Sequence, residues 1–103
     1  MDKHTELKIE WIVTISSSDC LSVEIYKFLG TEDEVKKYLF KLSNSYTNNN
    51  ECILIYFPEN EYDIEIDSFT GNLMCQVSYE EYDIVFNAKK LSEIEFKGMQ
   101  MKD

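Results

Sequence analysis

Carboxylates are the side chains of this sequence whose spacing suggests a chemical role. Five of them occupy every second position of one short stretch: Glu59, Glu61, Asp63, Glu65 and Asp67. Alternate side chains of a β-strand point to one face and follow each other at roughly 6.6 Å, twice the rise per residue. That distance is of the order of the spacing between phosphates along one nucleic-acid strand. The last four carboxylates are therefore predicted to form a negative row on one strand, at residues 61–69.

The sequence around this row contains no basic residue that could balance it. Residues 42–88 lack lysine and arginine but contain nine carboxylates, namely Glu51, Glu59, Glu61, Asp63, Glu65, Asp67, Glu80, Glu81 and Asp83. A row of one sign repels itself, and outer strand faces usually mix the two signs. The row is therefore either a solvated outer face, where charge discourages edge-to-edge pairing, or a binding surface for a cationic partner. Glu81 and Asp83 extend this surface if the strand predicted at 82–88 lies beside it.

The sequence contains no pattern typical of a catalytic or metal centre. The single histidine, His4, lies in the N-terminal segment, and no glycine-rich phosphate loop, GxSxG motif or HExxH motif occurs. Carboxylates in a straight row do not converge on one calcium ion, and no glycine is placed to turn a calcium loop. We therefore expect a function other than catalysis, with no catalytic residue, no metal site and no cofactor.

The three cysteines predict free thiols in a reducing compartment. Cys20, Cys52 and Cys75 are odd in number and form no CxxC pair, and the N-terminus lacks the apolar stretch of an export signal. Free thiols of this kind are typical of the cytoplasm, which is the location that we expect. Cys52 and Cys75 lie within apolar runs and should behave as small core residues.

The net charge disfavours nucleic acid and membranes as direct partners. The formal charge is −10, and all ten basic residues are lysines. Proteins that read nucleic acid rely on arginine for bidentate contacts to phosphate and guanine, and an anionic membrane surface repels an acidic protein. No apolar run approaches the roughly 20 residues needed to cross a bilayer. A macromolecular partner is therefore expected to be a basic protein.

A single predicted helix at residues 31–43 has clear start signals. Thr31 is a suitable N-cap, and Glu34 three residues later completes a capping box. An apolar stripe follows at helical spacing, formed by Val35, Tyr38, Leu39 and Leu42. Phe40 falls outside this stripe. It either packs beneath a neighbouring loop such as 44–50 or is an exposed anchor for a partner or a second copy.

Alternating apolar and polar residues predict the strands, at 7–15, 21–29, 61–69, 73–79 and 82–88. The continuous apolar run CILIYF at 52–57 predicts a central strand covered on both faces. This order favours one α+β domain over 1–103, with loose ends at about 1–5 and 98–103. Its architecture is a mostly antiparallel sheet of five or six strands in ββαβββ order, with one helix on one face. The other face should be polar, strongly curved or covered by a partner.

Two segments, GTEDEVKKYLFKL and GNLMCQVSYEEYDIVFNAKKLSEIEF, resemble short uncharacterised bacterial proteins carried by phages and other mobile elements. That group has no assigned catalytic residues, so the resemblance implies none here. The small, acidic profile is also similar to that of anti-CRISPR and anti-restriction inhibitors that mimic nucleic acid. It implies an inhibitor or modulator whose carboxylate row binds a basic nucleic-acid-binding protein of the host. The alternative is an acidic accessory domain that self-associates as a homodimer without an inhibitory role.

Overall fold

The computed structural model describes residues 8–18 and 23–91, which form six strands and one longer helix. The helix α1 is Glu32–Asn44, and the strands are β1 (Ile9–Ser17), β2 (Val23–Gly30), β3 (Leu54–Tyr56), β4 (Glu65–Ile66), β5 (Leu73–Tyr79) and β6 (Asp83–Lys90). The predicted α+β class is confirmed. The predictions for both chain ends, for His4 and for Cys20 lie outside the described residues.

Helix α1 begins at the predicted capping box. The Thr31 hydroxyl accepts a hydrogen bond from the Glu34 amide at 3.2 Å, and the Glu34 carboxylate accepts one from the Thr31 amide at 2.8 Å. Two amides that the first helical turn leaves without partners are thereby satisfied. Lys8 lies 3.3 Å from the same carboxylate, so the start of α1 is also joined to the chain that leads into β1.

The sheet is antiparallel throughout, with the order β2-β1-β6-β5-β3, and β4 pairs with the same edge of β5 as β3 does. The two hairpins β1–β2 and β5–β6 meet at the β1–β6 pair, where Val13 lies opposite Ala88 and Ile15 opposite Phe86. The pleat of the strands directs these four side chains to one face. All four are buried.

The hydrophobic core lies between this face and α1. Val35 and Leu39 of the helix are fully buried, as the apolar stripe predicts, and Tyr38 and Leu42 pack at the margin of the core. Trp11 is also fully buried, and its indole nitrogen donates a hydrogen bond to the Gly30 carbonyl at 3.1 Å.

The prediction of a central strand at 52–57 is wrong. The strand there, β3, has only three residues and lies at the end of the strand order. A register shift between Leu54 and Tyr56 limits its pairing with β5. Ile53 and Ile55 are consequently exposed. A continuous apolar run predicts a strand but not the position of that strand in the sheet. Here the position of β3 follows from the pairing of the two hairpins through β1 and β6.

The prediction of one strand at 61–69 is also wrong. Glu61–Asp63 is a 3-10 turn, and only Glu65–Ile66 is extended and paired. The carboxylates of the stretch therefore do not share one strand face. The side chains of Asn60 and Asp63 accept hydrogen bonds from nearby backbone amides. Such local bonds compete with the ladder of a sheet and favour a turn.

The sheet face opposite α1 is mixed in character. Cross-strand register places Ile12 between Lys27 and Lys89, and it places Thr14 between Ile25 and Asn87. Polar residues thus cover much of this face, which is one of the three outcomes expected for a sheet with a single helix.

Candidate functional site at an acidic and apolar sheet edge

The five alternating carboxylates lie along one edge of the sheet. Both β3 and β4 pair with the outer side of β5, β3 near Tyr79 and β4 near Leu73. The chain from 53 to 69 therefore follows this edge from one end of β5 to the other. We call residues 53–69 the acidic edge.

A 3-10 turn shapes the middle of the acidic edge. The Asn60 side chain accepts a hydrogen bond from the Tyr62 amide at 2.8 Å. The Asp63 carboxylate accepts hydrogen bonds from the amides of Glu59, at 2.8 Å, and Asn60, at 3.3 Å. Asp63 therefore holds the backbone of the turn in place in addition to carrying charge.

Three carboxylates of the acidic edge have no such structural task. Glu59 and Glu65 are exposed and Glu61 is half-buried, and none of the three forms a hydrogen bond or ion pair with another described residue. The ion pairs between described residues are Lys8–Glu34 and Lys27–Glu10, and both lie on the β1–β2 side of the molecule. None of these three carboxylates is ion-paired with a lysine of the described ranges, although Lys89 lines a groove together with Glu65 and Asp67.

Asp67 closes the turn between β4 and β5. Its side chain accepts a hydrogen bond from the Phe69 amide at 2.9 Å, and its carbonyl accepts one from the Gly71 amide at 2.7 Å. Gly71 has a φ of 76°, in the region that favours glycine. The bond from the Phe69 amide, followed by that from the Thr70 hydroxyl, lowers the pKa of Asp67. The carboxylate is therefore charged at neutral pH.

Large apolar side chains are exposed between these carboxylates. Tyr62 is 89% exposed and Phe69 is 96% exposed. Further exposed side chains come from β3, β4 and the residue before β3: Ile53, Ile55, Tyr56 and Ile66. Grouped exposed apolar residues with a polar rim are typical of an interaction site. The alternation at 61–69 predicts a strand and does not reveal these exposed rings, although the turn residues beside Tyr62 and Phe69 indicate that neither ring lies on a buried strand face.

Two grooves, each of about 220 Å³, flank Tyr56. One is lined by Ile55, Tyr56, Phe57, Glu59 and Asp63. The other is lined by Tyr56, Asp63, Glu65, Met74, Cys75, Gln76 and Ser78. Desolvation is the first cause that raises the pKa of Tyr56, and the carboxylates of Asp63, Glu65 and Glu59 add to it. The phenol is therefore uncharged at neutral pH and lies in a negative field.

The remaining predicted site residues lie outside the acidic edge, and β5 separates β6 from it, so Glu81 and Asp83 do not extend a row on a neighbouring strand. Asp83 is opposite Ser78, whose other cross-strand neighbour is Tyr56, so it belongs to the face that carries Tyr56. Glu81 lies in the β5–β6 turn, where its carboxylate is near the Cys52 thiol. Phe40 is half-buried and packs against the core. It lines a groove together with residues 59–62.

The described thiols are unsuited to nucleophilic chemistry. Burial raises the pKa of Cys75 to about 12. Desolvation and then the Glu81 carboxylate raise the pKa of Cys52. A thiol of raised pKa is a poor nucleophile because little of it is thiolate. Within residues 8–18 and 23–91, no group of three or more His, Cys, Asp or Glu side chains is placed to hold a metal ion.

The chain was compared with protein-family models, with curated proteins and with solved structures, and none of them matches. In the part of the chain that the structure describes, no helix is both long enough and apolar enough to cross a membrane. The geometry and charge of the acidic edge are therefore the features of this chain that bear on its function.

Proposed function

We propose that this protein is a small acidic inhibitor or modulator that binds a basic, nucleic-acid-binding protein through the acidic edge. The partner belongs to the host cell, and both proteins act in the cytoplasm. In its most specific form, the proposal is anti-CRISPR or anti-restriction activity, in which the carboxylates occupy a groove that otherwise holds nucleic acid.

One observation carries this proposal: carboxylates without an ion-pair partner among the described residues occupy the same edge as exposed aromatic rings. Charge of one sign accelerates encounter with an oppositely charged surface and selects partners. Aromatic side chains buried at an interface supply much of its binding energy. Glu59, Glu61 and Glu65 supply the first property, while Tyr62 and Phe69 supply the second.

The turn at Glu61–Asp63 changes how nucleic-acid mimicry would work. A straight strand would present carboxylates at regular intervals, whereas the turn brings Glu59 and Asp63 around one groove and Asp63 and Glu65 around its neighbour. The surface therefore offers clustered negative charge beside apolar anchors. Such a surface suits the basic groove of a protein without copying the even repeat of a phosphate backbone.

Capture from a nuclease-treated bacterial lysate tests the proposal. The immobilised chain should retain a nucleic-acid-binding protein at about 50 mM salt and lose most of it at about 500 mM, because exposed charges are screened at high ionic strength. Added DNA or RNA should release the captured protein, since both ligands need the same basic groove. Retention that is insensitive to nucleic acid would contradict the proposed mode of action.

A second candidate function, self-association as an acidic accessory domain, is favoured by a separate observation at the opposite end of the sheet. Ile25 and Leu29 of β2 are 64% and 62% exposed, and both lie on the sheet face opposite α1. Sedimentation at micromolar concentration should show a dimer if these residues form a contact between copies. The substitution Ile25→Ser should then yield a monomer, whereas Phe40→Ser should not change a dimer formed in this way.

A further inference from the structure

We propose that the two grooves beside Tyr56 receive two arginine side chains from one extended segment of a protein partner. The inference rests on the proposed function and deepens it, because it names the chemistry that the acidic edge recognises. Both grooves combine an aromatic ring with two carboxylates, and they share Tyr56 and Asp63.

The grooves fit long cationic side chains because each combines apolar walls with negative charge. In the first groove, Ile55 and Phe57 accompany Tyr56, and the charge comes from Glu59 and Asp63. Such walls can contact the aliphatic stem of a lysine or arginine while the carboxylates bind its charged head. A compact metal ion would instead need converging oxygen ligands, and the described residues provide no such cluster.

Arginine is the better match because of Tyr56. A planar guanidinium can stack on an aromatic ring and pair with carboxylate oxygens in two directions, whereas an ammonium is a compact, strongly hydrated charge. Tyr56 stays protonated, is half-exposed and lines both grooves, so its ring can be contacted from either groove. Stacking should therefore distinguish arginine from lysine at this edge.

The closeness of the two grooves indicates the spacing of the two arginines. Grooves that share Tyr56 and Asp63 are immediate neighbours. Side chains two positions apart in an extended segment point the same way and are separated by roughly 6.6 Å. The pattern Arg-Ser-Arg therefore serves as the probe, with Lys-Ser-Lys and citrulline-Ser-citrulline as matched peptides.

Fluorescence anisotropy with these three labelled peptides tests the inference on the intact chain. The arginine peptide should bind about two- to fivefold more tightly than the lysine peptide, the range of an exposed cation–π contact. The citrulline peptide keeps the shape of arginine but lacks its charge, and it should not bind measurably. Equal affinities for the arginine and lysine peptides would overturn the assignment to arginine, and binding of the citrulline peptide would overturn the role of charge.

Substitutions locate the binding in the grooves. The double variant Glu59→Gln with Glu65→Gln removes one carboxylate from each groove and should weaken binding of the arginine peptide about two- to tenfold. The control Glu10→Gln with Glu32→Gln makes the same change in net charge on the β1–β2 side and should bind like the parent. Equal losses in both variants would show only a general attraction of charge and would overturn the inference.

Tyr56 supplies the second test. Tyr56→Ala should weaken binding of the arginine peptide about two- to fivefold because the stacking surface is lost. Tyr56→Phe keeps an aromatic ring and should bind the peptide like the parent. Unchanged binding of the arginine peptide by a folded Tyr56→Ala variant contradicts the inference. This holds even if charge-reversed variants no longer capture the basic partner, a result that would support the proposed function. Peptide binding that depends on Tyr56, without capture of any nucleic-acid-binding protein, would instead support the grooves and contradict the proposed function.

Discussion

The hydroxyl of Tyr79 forms hydrogen bonds with the loop that leads from α1 into the acidic edge, and removing this hydroxyl tests how much those bonds stabilise the fold. This hydroxyl donates a hydrogen bond to the Tyr46 carbonyl at 2.6 Å and accepts one from the Asn49 amide at 3.2 Å. The Tyr79 ring is nearly buried, at 3% exposure. It also stacks on Tyr82, whose hydroxyl accepts a hydrogen bond from the Asn49 side chain at 2.9 Å. Tyr79 therefore holds the loop between α1 and β3.

The substitution Tyr79→Phe removes two hydrogen bonds and preserves the packing of the ring. A hydrogen bond contributes about 0.5–1.5 kcal/mol net, and a buried group left without a partner costs about 1–3 kcal/mol. Water can reach the loop in part, because Tyr46 is half-buried and Asn49 is exposed. We therefore expect the free energy of unfolding to fall by about 1.5–3 kcal/mol, which is a large share of the stability of a small domain.

Urea unfolding followed by the fluorescence of Trp11, the only tryptophan of the chain, measures this change. Tyr82→Phe is the matched control, because Asn49 keeps its backbone bond to Tyr79 and the lost partner is a side-chain amide that can be hydrated. The control should lose less than about 1 kcal/mol. Unfolding of Tyr79→Phe at the same urea concentration as the parent would refute the role of the Tyr79 hydroxyl, and so would a larger destabilisation of Tyr82→Phe than of Tyr79→Phe.

The other predictions concern the core, the helix start and the thiols. Leu39→Ala should lower the free energy of unfolding by about 2–5 kcal/mol, because Leu39 is fully buried on the core face of α1; a smaller loss in urea unfolding would contradict the core described above. Hydrogen bonds from the Thr31 amide and then from Lys8 lower the folded-state pKa of Glu34 below its ordinary value of 4.5. The charged carboxylate therefore stabilises the fold above that value and loses this effect as the pH falls through the folded pKa. Glu34→Gln should be less stable than the parent at neutral pH, and the difference should shrink in acid; a difference that is independent of pH would refute this. Cys75 should react with a thiol reagent at mildly alkaline pH only when the protein unfolds, whereas rapid reaction in the folded state would contradict its burial and its raised pKa.

The parts of the fold that were predictable from the sequence are those encoded locally. Helix α1 follows from a capping box and an apolar stripe, both of which lie within the helix and the residue before it. Strands β5 and β6 follow from alternation, because each has one buried and one more exposed face. These patterns need no knowledge of which strands are neighbours.

The two strand predictions that were wrong concern segments whose structure depends on neighbouring strands or on hydrogen bonds from side chains to the backbone. The apolar run at 52–57 has the composition of a central strand, but the contact between β1 and β6 leaves β3 at the end of the sheet. The alternation at 61–69 is real in the sequence, but bonds from Asn60 and Asp63 to the backbone turn the chain. The charge of the site was therefore predictable, whereas its grooves and exposed rings were not.

The most direct measurement of the central claim is the affinity of a captured basic partner for two triple charge reversals. The test variant replaces Glu59, Glu61 and Glu65 by lysine and leaves Asp63 intact, because Asp63 holds the backbone of the turn. The control replaces Glu10, Glu32 and Asp33 by lysine, which alters the formal charge of −10 equally but in β1 and at the start of α1. The test variant should stay folded and lose binding, while the control should retain most of its affinity. Equal affinity of the test variant and the parent would contradict the claim that the acidic edge binds the partner.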